Sequence, residues 1–147
     1  MLLVTDVGNT NIKLGLYDGE RLAASWRLST DLKKTSDEYG LMLMNLLSHA
    51  GAGKQDISGA IMSSVVPGIN YTLTHMLEFY LGQHPLLVGP GIKTGLNIKL
   101  DNPRELGGDL ITDAVSAFTR YGGDLIVIDF GTATTMSAVT AHGEFLG

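Results

Sequence analysis

The chain has 147 residues, 44% of them hydrophobic and 17% charged, with a formal net charge of −5 and no cysteine. That describes an ordinary globular domain with a real core rather than a disordered chain, and it excludes disulfides, thiolate zinc sites and cysteine nucleophiles. The acidic balance leaves no basic stripe for nucleic acid, and no apolar run approaches the roughly 20 residues of a membrane span. Neither nucleic acid nor membrane is an expected partner. The N-terminus runs straight into a strand pattern with no signal peptide, so a cytoplasmic location is the default.

The first stretch, Leu2-Leu3-Val4-Thr5-Asp6-Val7-Gly8-Asn9-Thr10, is an apolar run followed by Asp-x-Gly and small polar side chains. β-branched residues suit a pleated surface, so the run reads as a buried strand. Residues 12–17 then alternate and end in Asp18-Gly19, a hairpin signal, with 22–28 as the third strand of a meander. A polar loop over 29–34 leads to Thr35-Ser36-Asp37-Glu38, whose Thr and Glu have capping-box spacing. The helix it opens puts Tyr39, Met42, Leu43, Leu46, Leu47 and Ala50 on one face. A buried strand is expected over 57–66, ended by Pro67-Gly68. A helical stripe of Ile69, Leu73, Met76, Leu77 and Tyr80 follows, stopped by Gly82, and then a short strand at 85–88. Residues 89–99 have no period and read as loop. Asp101-Asn102-Pro103 precedes a helix with Ile111, Ala114, Val115 and Phe118 on one face, closed by Gly122-Gly123.

Then the opening pattern recurs, as Leu125-Ile126-Val127-Ile128-Asp129-Phe130-Gly131-Thr132-Ala133-Thr134. Strand and helix alternation with an early meander predicts an α/β fold with a mixed sheet flanked by helices. The expected hinge lies between Tyr121 and Leu125, giving one lobe over 1–122 and the first strands of a second over 123–147. The second copy has almost nothing after its first hairpin, so that lobe is expected to be incomplete.

Asp-Gly or Asn-Thr between two strands is most often a hairpin turn. Repetition of strand, Asp, Gly and small polar residues in one order favours phosphate binding instead. Glycine permits φ > 0 and leaves N–H groups free for an anion, and the Asp suits a hydrated Mg²⁺. Two such turns facing one another would clamp a nucleotide's phosphate chain. Lys13 shares a strand face with Asn11 and either reaches a phosphate or is simply solvated. Ser63-Ser64, at a strand end, either touches a ligand or bonds the following turn. Gly107-Gly108-Asp109 opens a helix, where the Asp is more often a cap than a general base. Other motifs fail. Gly91-Ile92-Lys93-Thr94 has Ile where a P-loop needs Gly, and Gly89-Pro90-Gly91 lacks the third Gly of a dinucleotide fingerprint. The four histidines have no zinc spacing.

Taken with Ser63-Ser64-Val65-Val66-Pro67, Gly89 to Leu96 and Asp101-Asn102-Pro103, the two Asp-x-Gly segments resemble those of the type III pantothenate kinases, or Bvg accessory factor proteins. The resemblance implies the actin/hexokinase-like fold of the acetate and sugar kinase superfamily, two ribonuclease H-like lobes closing on ATP. It implies phosphorylation of pantothenate to 4'-phosphopantothenate, the first step toward coenzyme A, with ATP, Mg²⁺ and K⁺ or NH₄⁺, in a homodimer when full length. Carried over by motif, Asp6, Val7, Gly8, Asn9, Thr10, Asn11, Ile12 and Lys13 form the first phosphate segment, and Gly131 and Thr132 contact ATP. Asp109 becomes the proton acceptor, Asp129 the monovalent-cation ligand and Asp6 the candidate for Mg²⁺. Leu100, Gly107, Gly108, Asp109 and Leu110 line the acceptor side. Two positions depart from the family: Leu110 replaces an Arg that grips the pantothenate carboxylate, and Leu100 replaces a Tyr of the same pocket. Hence two alternatives stand beside the kinase: a non-catalytic nucleotide-binding paralogue, and a kinase for another small hydroxylated acid. Family members also run longer, with most of the dimer contact beyond Gly147.

Overall fold

The computed structural model describes every residue except Pro90, and at Arg104 the backbone alone. The glycine-rich reading around Pro90 therefore lies, at that residue, outside the described residues. The chain forms two compact units, Met1–Leu87 and Val88–Gly147.

In the first unit, β1 (Leu2–Val7), β2 (Asn11–Asp18) and β3 (Arg21–Ser29) make the expected antiparallel meander. The Asp18-Gly19 signal is realised one residue on, because Asp18 pairs with Arg21 and Gly19-Glu20 forms the loop. Gly19 has φ +59 and Glu20 has no positive φ, as a type II′ turn requires. On its other side β1 pairs in parallel with β4 (Gly59–Ser64), and β5 (Leu86–Val88) completes the order β3-β2-β1-β4-β5. The strand expected over 57–66 is shorter at both ends. Ile57 donates its N–H to Lys54 to close a 3₁₀ turn, and Val66 donates to the Ser64 hydroxyl before Pro67 starts a helix.

Helix α1 (Ser36–His49) begins as its capping box dictates. The Thr35 hydroxyl accepts the Glu38 N–H at 3.2 Å, and the Glu38 carboxylate accepts the Thr35 N–H at 2.8 Å. Pro67 is the first residue of α2 (Pro67–Met76), where its missing N–H costs nothing, and α2 runs into a π turn over Leu77–Leu81. Tyr39, Leu43 and Leu47 of α1 and Ile69, Leu73 and Met76 of α2 bury against Leu3, Val7, Ile12, Leu14, Leu16 and Met62. Strand residues two apart share a face, so one side of this sheet is sealed by two helices.

The second unit repeats the meander. β7 (Leu125–Phe130), β8 (Thr134–Val139) and β9 (Glu144–Phe145) pair antiparallel in order, giving a sheet β6-β9-β8-β7. β6 (Asn97–Ile98) lies inside the stretch expected to be loop. Its two residues are too few to carry a period, and its partner β9 supplies the ladder through Asn97 to Gly143 and Lys99 to Phe145 bonds of 2.8 and 2.9 Å. Helix α3 (Gly108–Tyr121) packs Ile111 and Ala114 with Leu106, Val139 and Phe145, and Val115 and Phe118 join this cluster.

In this unit α3 shares its core with Val139, Phe145 and Leu125 of the strands that follow it. One expectation changes here. β7 is not buried on both faces: Ile126, Ile128 and Phe130 are exposed, together with Met136 of β8. Among the described residues no helix is long and apolar enough to cross a membrane.

Candidate active site

The first turn connects β1 to β2. Asp6 and Lys13 are cross-strand partners, and the Lys13 ammonium lies 3.1 Å from Asp6 Oδ2 with both side chains about half exposed. Arg27 is the next residue across the ladder from Lys13, so Asp6, Lys13 and Arg27 form a row over three strands. Ser63 pairs with Asp6 from the β4 side, and its buried hydroxyl has no partner among the described residues. Ser64 instead takes the turn-bonding role. Val7 and Ile12 point into the core at 1% exposure each, so from this segment only their backbone is left to meet a ligand.

The glycine does not act as expected. Gly8 is not among the residues of positive φ, and its N–H is used within the hairpin, donating to Asn11 at 3.0 Å. What demands glycine is close approach, since a Cβ there would lie 3.2 Å from the Asn11 carbonyl. Asn9 and Thr10 are exposed at the tip, and Asn11 is half-buried. The residue after β3 holds this tip from behind: the Thr30 hydroxyl donates to the Gly8 carbonyl at 2.6 Å and its N–H to the Thr10 carbonyl at 3.0 Å. Sequence reasoning passed over Thr30 and Arg27, because only the strand register reveals either.

The second turn follows the same logic with one residue fewer. Phe130 pairs with Thr134, Gly131 donates to the Ala133 carbonyl at 3.1 Å, and Thr132 is exposed at the tip. Gly131, too, lacks positive φ. A Cβ on it would sit 3.1 Å from Asp129 Oδ2, so the missing side chain lets the Asp129 carboxylate fold over the turn.

Asp109 stands in the first turn of α3, whose N-cap is Gly107. It is half-buried, and its Oδ1 accepts the N–H of Leu110 at 2.8 Å. It thus satisfies one of the helix's orphan donors without being the cap residue. The carboxylate keeps a second oxygen that, among the described residues, has no hydrogen-bond partner. Gly107 gives its carbonyl to Ile111 at 3.2 Å, and Gly108 is buried. Leu100 and Leu110, the two positions expected to depart from the family pattern, both pack on the apolar cluster of this unit. Among the described residues no group of three His, Cys, Asp or Glu side chains is arranged to hold a metal.

The strand order with its Asp-x-Gly hairpin defines the class: an actin/hexokinase-like fold, mixed sheets flanked by helices, as in the sugar kinases. Solved structures agree. The ROK hexokinase of Thermus thermophilus is similar at TM-score 0.55 and 14% identity, over 99% of this chain and 48% of that one. A Sinorhizobium meliloti protein provisionally assigned as a 2-dehydro-3-deoxygalactonokinase reaches TM-score 0.60 at 14% identity, over 95% and 50%. YeaZ from Pseudomonas aeruginosa gives 0.51 at 13%, over 99% and 64%. The chain thus spans about half the length of the first two of these proteins and 64% of YeaZ. Residues 2–147 match the type III pantothenate kinase family, and the chain belongs to that family.

Proposed function

We propose that the protein transfers the γ-phosphoryl group of ATP to the hydroxyl of pantothenate. The observation that carries this reading is the family match over 2–147, together with an Asp-x-Gly hairpin closing the first strand of each meander. Phosphoryl transfer needs little covalent help from a protein, so positioning and charge carry the catalysis. The turn at residues 8–11 binds phosphate through backbone N–H groups and Lys13. Gly131 and Thr132 contact ATP from the second turn. Asp109 accepts the proton of the acceptor hydroxyl, using the carboxylate oxygen that Leu110 leaves free.

Mg²⁺ is usually held by one or two carboxylates plus substrate phosphates, and Asp6, with one oxygen on Lys13 and the other without a hydrogen-bond partner among the described residues, fits that demand. Asp129, folded over its turn, offers the oxygen ligand that K⁺ or NH₄⁺ takes. When bound, these ions offset the negative charge of the transferring phosphate. The functional lobes divide near 122/123, each opening on its own Asp-x-Gly strand. A cytoplasmic homodimer completes the reading, and sedimentation equilibrium checks the dimer.

A second reading is favoured by Leu100 and Leu110, which join one apolar cluster where the family pattern expects Tyr and Arg. An apolar wall cannot grip a carboxylate as a guanidinium does. It fits a kinase for a different hydroxylated acid, or a nucleotide-binding paralogue without turnover. Incubation with ATP, Mg²⁺ and K⁺ against a panel of hydroxy acids separates the three. Label on pantothenate supports the first reading, label on another acid the second, and ATP binding without transfer the paralogue.

A further inference from the structure

We propose that Thr30 is a positioning residue for the nucleotide phosphates, one that sets the direction of the N–H groups in the β1–β2 turn. The inference rests on reading that turn as a phosphate site. Thr30 makes two contacts with it, hydroxyl to the Gly8 carbonyl at 2.6 Å and N–H to the Thr10 carbonyl at 3.0 Å. No peptide bond here is cis. In a trans peptide the N–H lies opposite the carbonyl of the same unit. Drawing the Gly8 carbonyl toward Thr30 therefore turns the Asn9 N–H away from it, and drawing the Thr10 carbonyl does the same to the Asn11 N–H. Two alternate carbonyls of the turn held on one side leave two donors, of Asn9 and Asn11, aimed to the other, as in a backbone concavity for an anion. Since Gly8 has spent its own N–H inside the hairpin, these neighbours are the donors on which such a site would draw.

Thr30 is itself held. The buried Tyr39 of α1 accepts the Asp31 N–H at 2.9 Å, and its hydroxyl lies 3.2 Å from the carbonyls of both Ser29 and Asp31. The residues on either side of Thr30 are thus tied to the helix that seals the core. Beyond them, Asp31 takes the Lys33 N–H at 2.9 Å and the Lys34 ammonium at 3.1 Å, which fixes the next turn. The β1–β2 turn therefore borrows rigidity from α1 through a single threonine, and a preorganised donor set loses less ordering entropy on binding.

The test is MgATP titration calorimetry on the wild type, Thr30→Val and Thr30→Ser, with melting temperatures alongside. Valine keeps the shape and the backbone bond but removes the hydroxyl. The expected result is ATP affinity about tenfold weaker in Thr30→Val, recovered to within about threefold in Thr30→Ser, as for loss and return of one hydrogen bond. Affinity for pantothenate should stay within about twofold of wild type. If the wild type binds ATP and Thr30→Val binds equally well, the role assigned to Thr30 is overturned while the phosphate reading stands. If both variants lose stability and affinity together and serine restores neither, Thr30 is only structural. A wild type that fails to bind ATP overturns the phosphate reading and this inference with it. Should Thr30→Val fail to fold, amide shifts of the wild type on adding MgATP decide: Asn9 and Asn11 must move more than Ile12 and Leu14, and equal or absent shifts contradict the inference.

Discussion

At the residue scale, the chemistry depends on which carboxylate oxygens are already occupied. Asp109, the proposed base, has one oxygen on its neighbour's N–H, and the other has no hydrogen-bond partner among the described residues. Asp109→Asn keeps the first contact in shape and removes the base, so kcat should fall about 10²- to 10⁴-fold with ATP affinity unchanged. A parallel loss of ATP affinity would mean that Asp109 serves the helix end instead. Leu110→Arg restores the guanidinium that the family pattern has there, and should tighten pantothenate by about tenfold or more through a charge-assisted bond. No gain would count against a pantothenate pocket at this position.

Asp31 and Glu38 set the acid sensitivity of the segment behind the first turn. The Lys33 N–H, aided by Lys34, holds Asp31 below its ordinary value, and Thr35 does the same for Glu38 through its N–H and hydroxyl. A depressed carboxylate pKa contributes stability that is complete above the unfolded value and lost as pH falls through the folded one. Amide protection factors over residues 29–38, with the intrinsic base-catalysed rate divided out, should therefore fall below the ordinary carboxylate range and be flat between pH 6 and 8. A loss of protection on the alkaline side of that plateau would contradict the assignment.

At the element scale, α1 meets the π turn that follows α2 through a glycine. A Cβ on Gly40 would lie 2.3–2.7 Å from ring atoms of Tyr80, whose hydroxyl donates to Asp37 at 2.9 Å. Gly40→Ala should cost about 1–3 kcal/mol by overpacking, read as a shifted urea midpoint, and release Tyr80 from the contact that raises its pKa. The elements most legible in the sequence were those whose signal is local. The Thr35–Glu38 box and the alternation in β2 each fix their own geometry. The stretch 89–99 hid β6, since a two-residue strand exists only through its partner. Gly8 and Gly131 were legible as turn glycines but for the wrong reason: the backbone conformation is ordinary, and a Cβ would sit tight against the Asn11 carbonyl at one and the Asp129 carboxylate at the other.

At the scale of the whole molecule, the repeated Asp-x-Gly text is matched by a repeated meander, with order β3-β2-β1 in one sheet and β9-β8-β7 in the other. The first hairpin of each could be read from residues 2–10 and 125–134, while β9, the third strand of the second, could not. The boundary of the compact units could not, because the pairing of α3 with later strands depends on Ile111 and Ala114 meeting Val139 and Phe145, contacts with no sequence marker. Motifs single out Asp6, Asp109 and Asp129 as candidates, whereas no motif marks Thr30, whose contacts with the Gly8 and Thr10 carbonyls exist only in the folded chain. The most direct measurement is transfer of label from γ-³²P-ATP to pantothenate in the presence of Mg²⁺ and K⁺, comparing wild type with Asp109→Asn. The account predicts labelled 4'-phosphopantothenate from the wild type and almost none from the variant, with both binding ATP equally. ATP bound by a folded wild type with no label reaching pantothenate would contradict it.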